Sequence, residues 1–158
     1  MTLLDQQIAQ TKQAIRDWLN QHPELKRQKD LLTSIPGIGD LTAGKLLAEC
    51  RDSRAFQDVR QLVAFAGLNP RHHTSGSSIR KKPVLSRTGS AALQAALYMP
   101  ALAAMRFNPL LRAFADRLRS RAVPGKAIVA AVMRKLLHLA FGVVKSGQPF
   151  DPNWLTAS

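Results

Sequence analysis

The amino-acid sequence predicts an all-α protein with a helix-hairpin-helix core, an N-terminal coiled-coil-like arm and one long basic loop. Three observations predict this fold class. Apolar residues recur every three or four positions, Pro and Gly interrupt these runs where helices end, and a glycine-containing turn joins two of them. A length of 158 residues suits one domain with an appended arm. We place the arm at residues 1–30 and the main domain at residues 31–158.

The predicted arm carries an apolar seam. Its positions follow the 4-3-4-3 spacing that is typical of a coiled coil, with one Thr in the series: Leu4, Ile8, Thr11, Ile15 and Trp18. Leu25 and Leu32 keep this register across Pro23, where we expect a break over residues 21–23 and a restart at Glu24. Fewer than four good heptads are present, so two arrangements stay open. The arm pairs with a second copy of the chain, or it packs back on its own domain.

A tight turn is predicted at Ile35-Pro36-Gly37-Ile38-Gly39. We expect positive φ at Gly37 and Gly39, so that successive backbone N–H groups point outward beside the N-terminus of the next helix. The helix dipole favours anions there, and a side chain can cap the helix, either Asp40 or Thr42. Such a turn suits a phosphate of a nucleic-acid backbone, with Lys45 as a second contact. The alternative is a plain glycine-rich turn between two core helices.

Five helices follow from the turn onward. In the first of these helices, residues 41–50, the apolar side carries Leu46, Leu47 and Cys50. We interpret Cys50 as a small core residue of a protein in a reducing compartment. The predicted helices span residues 41–50, then 59–66 with a capping box at Asp58 and Gln61 and a stop at Gly67, then 90–105 with a kink or break at Pro100, then 110–121 after Asn108-Pro109, and finally 126–145 before Gly147 and Pro149.

Residues 67–89 form a long basic loop without any acidic side chain, in which a short strand pair near residues 78–85 is compatible with the sequence. Loops longer than about 12 to 15 residues are functional or disordered in most compact domains. Its serines lie among cations that can stabilise charge on a phosphoryl group, but a serine hydroxyl needs an activating base or metal. Serines in basic loops more often bind phosphate or lend flexibility, and composition alone does not decide between these roles. The residues concerned are Ser75, Ser77, Ser78, Arg71, His72, His73, Arg80, Lys81, Lys82 and Arg87.

The loop predicts neither a metal centre nor a base-stacking platform. His72 and His73 are adjacent and have no carboxylate nearby, whereas Mg²⁺ needs oxygen ligands and a two-metal nuclease needs a cluster of them. No aromatic residue lies in the loop, which argues against stacking on single-stranded bases. Recognition of a nucleic-acid backbone is the better hypothesis.

Positive charge is concentrated in the C-terminal part of the chain. Residues 1–58 hold 8 Lys and Arg against 8 Asp and Glu, whereas residues 59–158 hold 15 against 2, which accounts for the net charge of +13. This asymmetry predicts a surface that binds a polyanion; a basic host proteome or a solubilising surface is the alternative. No membrane span is predicted, because the apolar run at 91–104 is short and that at 127–144 is interrupted by Arg134, Lys135 and His138. No secretory signal is visible at the N-terminus.

Four ordered blocks resemble a known family: LLTSIPGIGDLTAGKLLAE, QLVAFAGLNPRHHTSGSS, SRTGSAALQAALYMPALAA and AIVAAVMRKLLHLAFGVVKSGQPFD. Together they are similar to the C-terminal domain of the insertion-sequence transposases that include the pilin-gene invertases and the bridge-RNA-guided recombinases. The resemblance covers about residues 24–151. It implies a bacterial cytoplasmic protein that acts in DNA transposition or site-specific recombination, with structured guide RNA as a possible partner.

The resemblance also implies a division of labour. In that family a serine of the C-terminal domain links covalently to DNA, and it matches Ser75, which precedes Gly76 and follows Gly67 and Pro70. Acidic metal ligands come from an N-terminal RuvC-like domain, so we expect no cofactor in this chain, Mg²⁺ only with that domain, and no activity of the chain alone. Relatives often carry Arg where this chain has Gln94, which removes one expected phosphate contact.

Two other classes of function remain open at the level of sequence. A non-catalytic helix-hairpin-helix module that binds nucleic acid, or that regulates a full-length relative, fits the charge and the turn equally well. A structural module for protein–protein contacts predicts no binding of polyanions. Under the transposase or recombinase hypothesis, a homodimer or higher oligomer is expected, and the phosphate contacts come from the turn and the loop, through Gly37, Gly39, Lys45, Arg71, Arg80, Lys81, Lys82 and Arg87.

Overall fold

A computed structural model of the chain describes residues 2–50, 57–71, 84–85 and 90–153. The predicted all-α class is confirmed, and the strand pair joins the two ends of the basic loop rather than residues within 78–85. The elements in chain order are α1 (Leu3–Asn20), α2 (Pro23–Thr33), α3 (Asp40–Glu49), α4 (Val59–Phe65), β1 (Pro70–Arg71), β2 (Val84–Leu85), α5 (Ala91–Phe107), α6 (Pro109–Ser120) and α7 (Gly125–Ser146). The two strands are antiparallel, with Pro70 opposite Leu85 and Arg71 opposite Val84.

Local capping explains where several helices begin. The Asp58 carboxylate accepts a hydrogen bond from Arg60 N at 3.2 Å and caps α4 as predicted. Its predicted partner, Gln61, accepts instead from Gln57 N at 3.3 Å, one residue before the cap. Ser90 Oγ caps α5 by accepting from Leu93 N at 3.2 Å. At the other end of the chain, α7 stops at Gly147 in the left-handed conformation, as the sequence predicts.

Helix α5 continues through Pro100 as one unit from Ala91 to Phe107. Proline removes a helix hydrogen bond, so the sequence favours a kink or a break at this position. Packing on both sides of Pro100 outweighs that loss, because Leu93, Leu97, Ala101 and Ala104 are all fully buried. The predicted break is therefore replaced by a continuous core helix.

The core lies between α5 and α7, with α6, α4, α2 and α3 packed around them. Seven buried side chains of α7 face this core: Ile128, Val132, Met133, Leu136, Leu137, Ala140 and Val143. By length and composition α7 is also the one helix in the described ranges that is apolar enough to cross a membrane. Its apolar face is covered by other helices here, which is the usual arrangement of a long core helix.

Helix α1 packs on α2, and only Leu19 of α1 is buried. The first helix ends at Asn20, as the predicted break requires, and α2 begins at Pro23, one residue before the predicted restart at Glu24. The apolar seam of α1 remains open to solvent among the described residues, with Leu4, Ile8, Ile15 and Trp18 exposed by 65%, 45%, 42% and 52%. Packing of the seam back onto its own domain is therefore not what the structure shows.

Candidate nucleic-acid interface

The turn between α2 and α3 spans residues 34–39 and is anchored by two buried isoleucines. Ile35 and Ile38 point into the core, and Ile38 N donates to Ile35 O at 3.0 Å. Gly37 has φ of +109°, whereas Gly39 has φ of −90° and ψ of 177°. Positive φ is therefore needed at only one of the two predicted positions. Gly39 has extended backbone that any residue can adopt.

Gly37 packs against α5. A Cβ atom added at Gly37 would lie 2.7 Å from Ala104 Cβ and 2.9 Å from Ala104 Cα. No real side chain tolerates such distances, so glycine is required here by contact as well as by φ. The plain structural interpretation of Gly37 thus has direct support, and its N–H contribution to a phosphate site stays a prediction.

The side chain of Asn108 links the same turn to the start of α6 by hydrogen bonds. This fully buried side chain donates from Nδ2 to Pro36 O at 3.2 Å. Its Oδ1 accepts from Leu110 N at 3.1 Å and from Leu111 N at 3.3 Å, which caps α6. The sequence marks Asn108 only as a helix start, because a contact 72 positions away has no local signal.

The N-terminus of α3 lies at the solvent side of the turn. Its cap residue is Gly39, and no side chain caps the helix, so the predicted cap by Asp40 or Thr42 is wrong. Asp40 is instead the first helical residue, and its carboxylate lies 3.9 Å from both Arg16 Nη2 and Lys29 Nζ. An added Cβ at Gly39 would meet no atom within 4 Å. Gly39, Asp40 and Leu41 at this helix end are all exposed to solvent.

Lys45 lies one turn further along α3 and is exposed. It shares the solvent face of α3 with Leu41, four residues earlier, which is 51% exposed. The buried face of α3 is formed by Ala43 and Leu46. Lys45 is thus exposed to solvent, and its contact with a phosphate stays a prediction.

The ends of the 67–89 segment are held side by side on the core. Ser90 N donates to Phe65 O at 2.8 Å, and Gln94 Nε2 donates to Gly67 O at 3.3 Å. Ser90 Oγ also donates to Glu49 Oε2 at 3.2 Å, which ties the start of α5 to α3. Gln94 thus fixes the position of the backbone at Gly67, where the loop starts.

The predicted site residues are divided between the two regions and are not seen together. Gly37, Gly39 and Lys45 lie on the turn and α3. Arg71 lies in β1, where only its backbone is described, paired with Val84. The remaining candidates of the loop lie outside the described residues: Ser75, Arg80, Lys81, Lys82 and Arg87.

Two cations of α6 and α7 lie over one aromatic ring. Arg117 of α6 and Lys135 of α7 both lie over the ring of Phe114, each 5.7 Å from its centroid. Arg119 is neutralised by Asp116 at 2.6 Å. Arg134 and Lys135, which interrupt the apolar sequence of α7, are both partly exposed.

Burial is the main cause of the pKa shifts of Cys50 and His138. Burial raises the pKa of the Cys50 thiol from 9.0 to about 11, and the neighbouring Glu49 charge adds to this. The thiol therefore stays protonated and unreactive at neutral pH. Burial also lowers the pKa of His138, and Lys135 and Arg134 act in the same direction while Asp58 opposes them. Among the described residues, no three His, Cys, Asp or Glu side chains come together to hold a metal ion.

Comparisons with known proteins match almost the entire chain. The family model described as the transposase IS116/IS110/IS902 family matches residues 29–116. The pilin gene-inverting protein of Moraxella bovis is 38% identical over 152 residues, which cover 96% of this chain and 45% of that protein. A 43.6 kDa protein of insertion element IS110 from Streptomyces coelicolor is 29% identical over 91% of this chain and 35% of its own length. The chain thus spans less than half the length of these relatives.

Proposed function

Because this chain belongs to the IS116/IS110/IS902 transposase family, we propose that it is the DNA-binding C-terminal part of a transposase or site-specific recombinase. The observation that carries this proposal is the charge distribution, since residues 59–158 hold 15 cationic side chains against 2 acidic ones. A protein that inverts a gene must bind DNA, and a relative that is 38% identical is named for inverting the pilin gene. An acid-poor surface of this kind binds the DNA backbone with little dependence on base sequence.

The contact with DNA begins at the turn between α2 and α3. The uncapped N-terminus of α3 offers backbone N–H groups and a positive dipole end to a phosphate, and the absence of a side chain at Gly39 leaves room for close approach. Lys45 adds a full charge on the exposed face of α3. The Asp40 carboxylate would repel a phosphate, but Arg16 and Lys29 lie within 3.9 Å of it and reduce that repulsion.

Catalysis is assigned to the basic loop, with Ser75 as the nucleophile that attacks a DNA phosphodiester. Cations of the loop would stabilise the charge that develops on the phosphoryl oxygens: Arg71, Arg80, Lys81, Lys82 and Arg87. The hydrogen bonds from Ser90 and Gln94 support this assignment, because they anchor the loop ends on a rigid core. We assign no metal ligand to the described residues. The Mg²⁺ that the family implies would be held by an acidic RuvC-like domain that acts together with this part.

The arm is assigned to self-association. Its seam residues lie at coiled-coil spacing and are solvent-exposed in the single chain, and a second copy of α1 is the simplest surface that covers them. Structured RNA is a second candidate ligand of the basic surface, because it presents the same phosphates. A non-catalytic helix-hairpin-helix binding module is the alternative function, and the uncapped, open end of α3 favours it as much as it favours the recombinase.

A salt titration of binding tests the proposal. The chain is titrated with labelled duplex DNA and with a structured RNA of matched length, and log affinity is plotted against log salt concentration. We expect a steep fall, with a slope of about −0.9 for each phosphate neutralised on the duplex. Lys45→Gln should flatten this slope by about 0.9, whereas Lys12→Gln, which removes the same charge from α1, should not. Absence of binding at low salt would refute the DNA-binding function.

A second experiment separates the recombinase from the binding module. The acidic domain of a relative is supplied as a separate polypeptide with Mg²⁺ and duplex DNA, and covalent protein–DNA adducts are detected on denaturing gels. The recombinase predicts an adduct that disappears in Ser75→Ala but persists in Ser77→Ala. An adduct that persists in Ser75→Ala would refute the assignment of the nucleophile, and we expect no strand cleavage by this chain with Mg²⁺ alone.

A further inference from the structure

The ring of Phe114 holds two cations from different helices. Arg117 of α6 and Lys135 of α7 both lie over this ring, with Cζ and Nζ each 5.7 Å from its centroid. Arg117 is exposed and Lys135 is partly exposed, so both residues are in contact with solvent. We propose that Arg117 and Lys135 form a contact site for the phosphate backbone of duplex DNA. This inference rests on the proposed DNA-binding function and adds a site that the turn and the loop do not include.

Neither cation is neutralised by a carboxylate in the part of the chain that the structure describes. None of the ion pairs formed there includes Arg117 or Lys135. Asp116 is the one acidic residue in the sequence of α6, and its carboxylate lies 2.6 Å from Arg119. The sequence of α7 contains no acidic residue. The two helices therefore supply no carboxylate that could compete with an anionic ligand for this pair of cations.

The aromatic ring explains how two like charges stay close together. A ring attracts a cation over its face by about 0.5–1 kcal/mol at an exposed site, whereas two cations repel each other. The two charges lie no farther apart than twice 5.7 Å, because both distances are measured from one centroid. Phosphates beside the pair would offset the repulsion and would form charge-assisted hydrogen bonds with both side chains.

Other cations extend the positive charge along both helices. Arg121 at the end of α6 is exposed. On α7, burial is the main cause that lowers the pKa of His138. The charges of Lys135 and Arg134 lower this pKa further, and Asp58 opposes them. The local excess of positive charge thus favours a polyanion, which offers a row of phosphates, over a single small anion.

The pair lies on the helix that is attached to the turn between α2 and α3. Asn108, the cap residue of α6, donates from Nδ2 to Pro36 O of this turn at 3.2 Å. Arg117 follows nine residues later, which corresponds to about 14 Å along a helix that rises 1.5 Å per residue. This separation is shorter than one turn of duplex DNA, about 34 Å. The proposed function supplies duplex DNA as a ligand of suitable length and charge.

The test uses the double variant Arg117→Gln with Lys135→Gln. Its control, Lys12→Gln with Lys26→Gln, removes two charges from exposed residues of α1 and α2. Binding to labelled duplex DNA and to a structured RNA of matched length is measured across a salt series. We expect the Arg117 and Lys135 double variant to bind the duplex about tenfold more weakly and to flatten the salt slope by about 0.9 for each charge removed. The control should change affinity less than about twofold.

A second variant distinguishes a phosphate contact from a structural role. Arg117→Lys with Lys135→Arg keeps both charges and should bind duplex DNA within about threefold of wild type. In thermal unfolding without DNA, the Gln double variant should melt less than about 5 °C below its control, since exposed contacts of cations with a ring contribute little.

Four outcomes would overturn the inference. The Gln double variant could bind duplex DNA as its control does, lose affinity only for the RNA, or melt more than about 5 °C below its control. The variant with exchanged cations could also bind as weakly as the Gln double variant. Failure of the wild-type chain to bind duplex DNA would instead refute the proposed function, and this inference with it.

Discussion

Gly37 and Ala104 are in such close contact that the turn between α2 and α3 rests directly on the backbone of α5. A Cβ at position 37 would lie 2.7 Å from Ala104 Cβ, and Gly37 has φ of +109°. The turn that is proposed to bind phosphate is thereby held by the core helix. Any change in this contact must move either the turn or α5.

Substitution of Gly37 should destabilise the fold strongly. Gly37→Ala adds both a clash with Ala104 and an unfavourable φ, so we expect a loss of about 3 kcal/mol in the free energy of unfolding. Gly39→Ala is the matched control, because position 39 has ordinary φ and open space, and it should cost less than about 1 kcal/mol. Denaturant unfolding measures both. Equal losses of unfolding free energy in the two variants would show that the contact with Ala104 does not exclude a side chain at position 37.

Asn108 should contribute to stability through two separate contacts. Asn108→Ala removes the cap of α6 and the hydrogen bond to Pro36 O, and a loss of about 3 kcal/mol is expected. Asn108→Ser keeps an oxygen for the cap but cannot reach Pro36, so it should lose about half as much. The measurement is the free energy of unfolding of both variants. If Asn108→Ser were as unstable as Asn108→Ala, the cap of α6 would contribute nothing to stability.

The seam of α1 should control association without controlling the fold. Ile8→Ser with Ile15→Ser removes two exposed apolar side chains, so the double variant should become monomeric in sedimentation equilibrium and keep its unfolding transition at low concentration. Gln10→Ser, on the opposite face of α1, should leave the mass unchanged. A wild-type chain that is monomeric at all concentrations would contradict the proposed role of the arm.

Burial of Cys50 should make stability depend on alkaline pH. The thiol pKa is raised from 9.0 to about 11 in the folded chain, so the folded state holds the proton more tightly than the unfolded state. The contribution of Cys50 to stability is therefore fully present below pH 9, and it decreases as pH rises towards about 11. The difference in free energy of unfolding between wild type and Cys50→Ala should shrink over that range. A difference that stays constant across it would mean that the thiol is not buried in solution.

Helix positions and helix ends could be predicted well because their signals are local. Pro23 at the start of α2, Asp58 before α4, Asn108-Pro109 before α6 and Gly147 after α7 are all found where the sequence predicts them. The errors arise where a contact between distant residues outweighs a local preference. Pro100 does not break α5 because the surrounding side chains are buried, and Asp40 does not cap α3 but forms ion pairs with Arg16 of α1 and Lys29 of α2.

The sequence by itself determined the all-α class, the apolar seam of the arm, the excess of positive charge in residues 59–158 and the resemblance to a transposase family. These properties depend on periodicity, composition and residue order, which can be read without coordinates. Only the tertiary structure decided why Gly37 must be glycine, that Asn108 joins the turn to α6, and that the buried Nε of Arg134 has no acceptor among the described residues. The physical reason is that close contact, burial and hydrogen bonding between distant positions arise only after helices pack, and no local pattern encodes them.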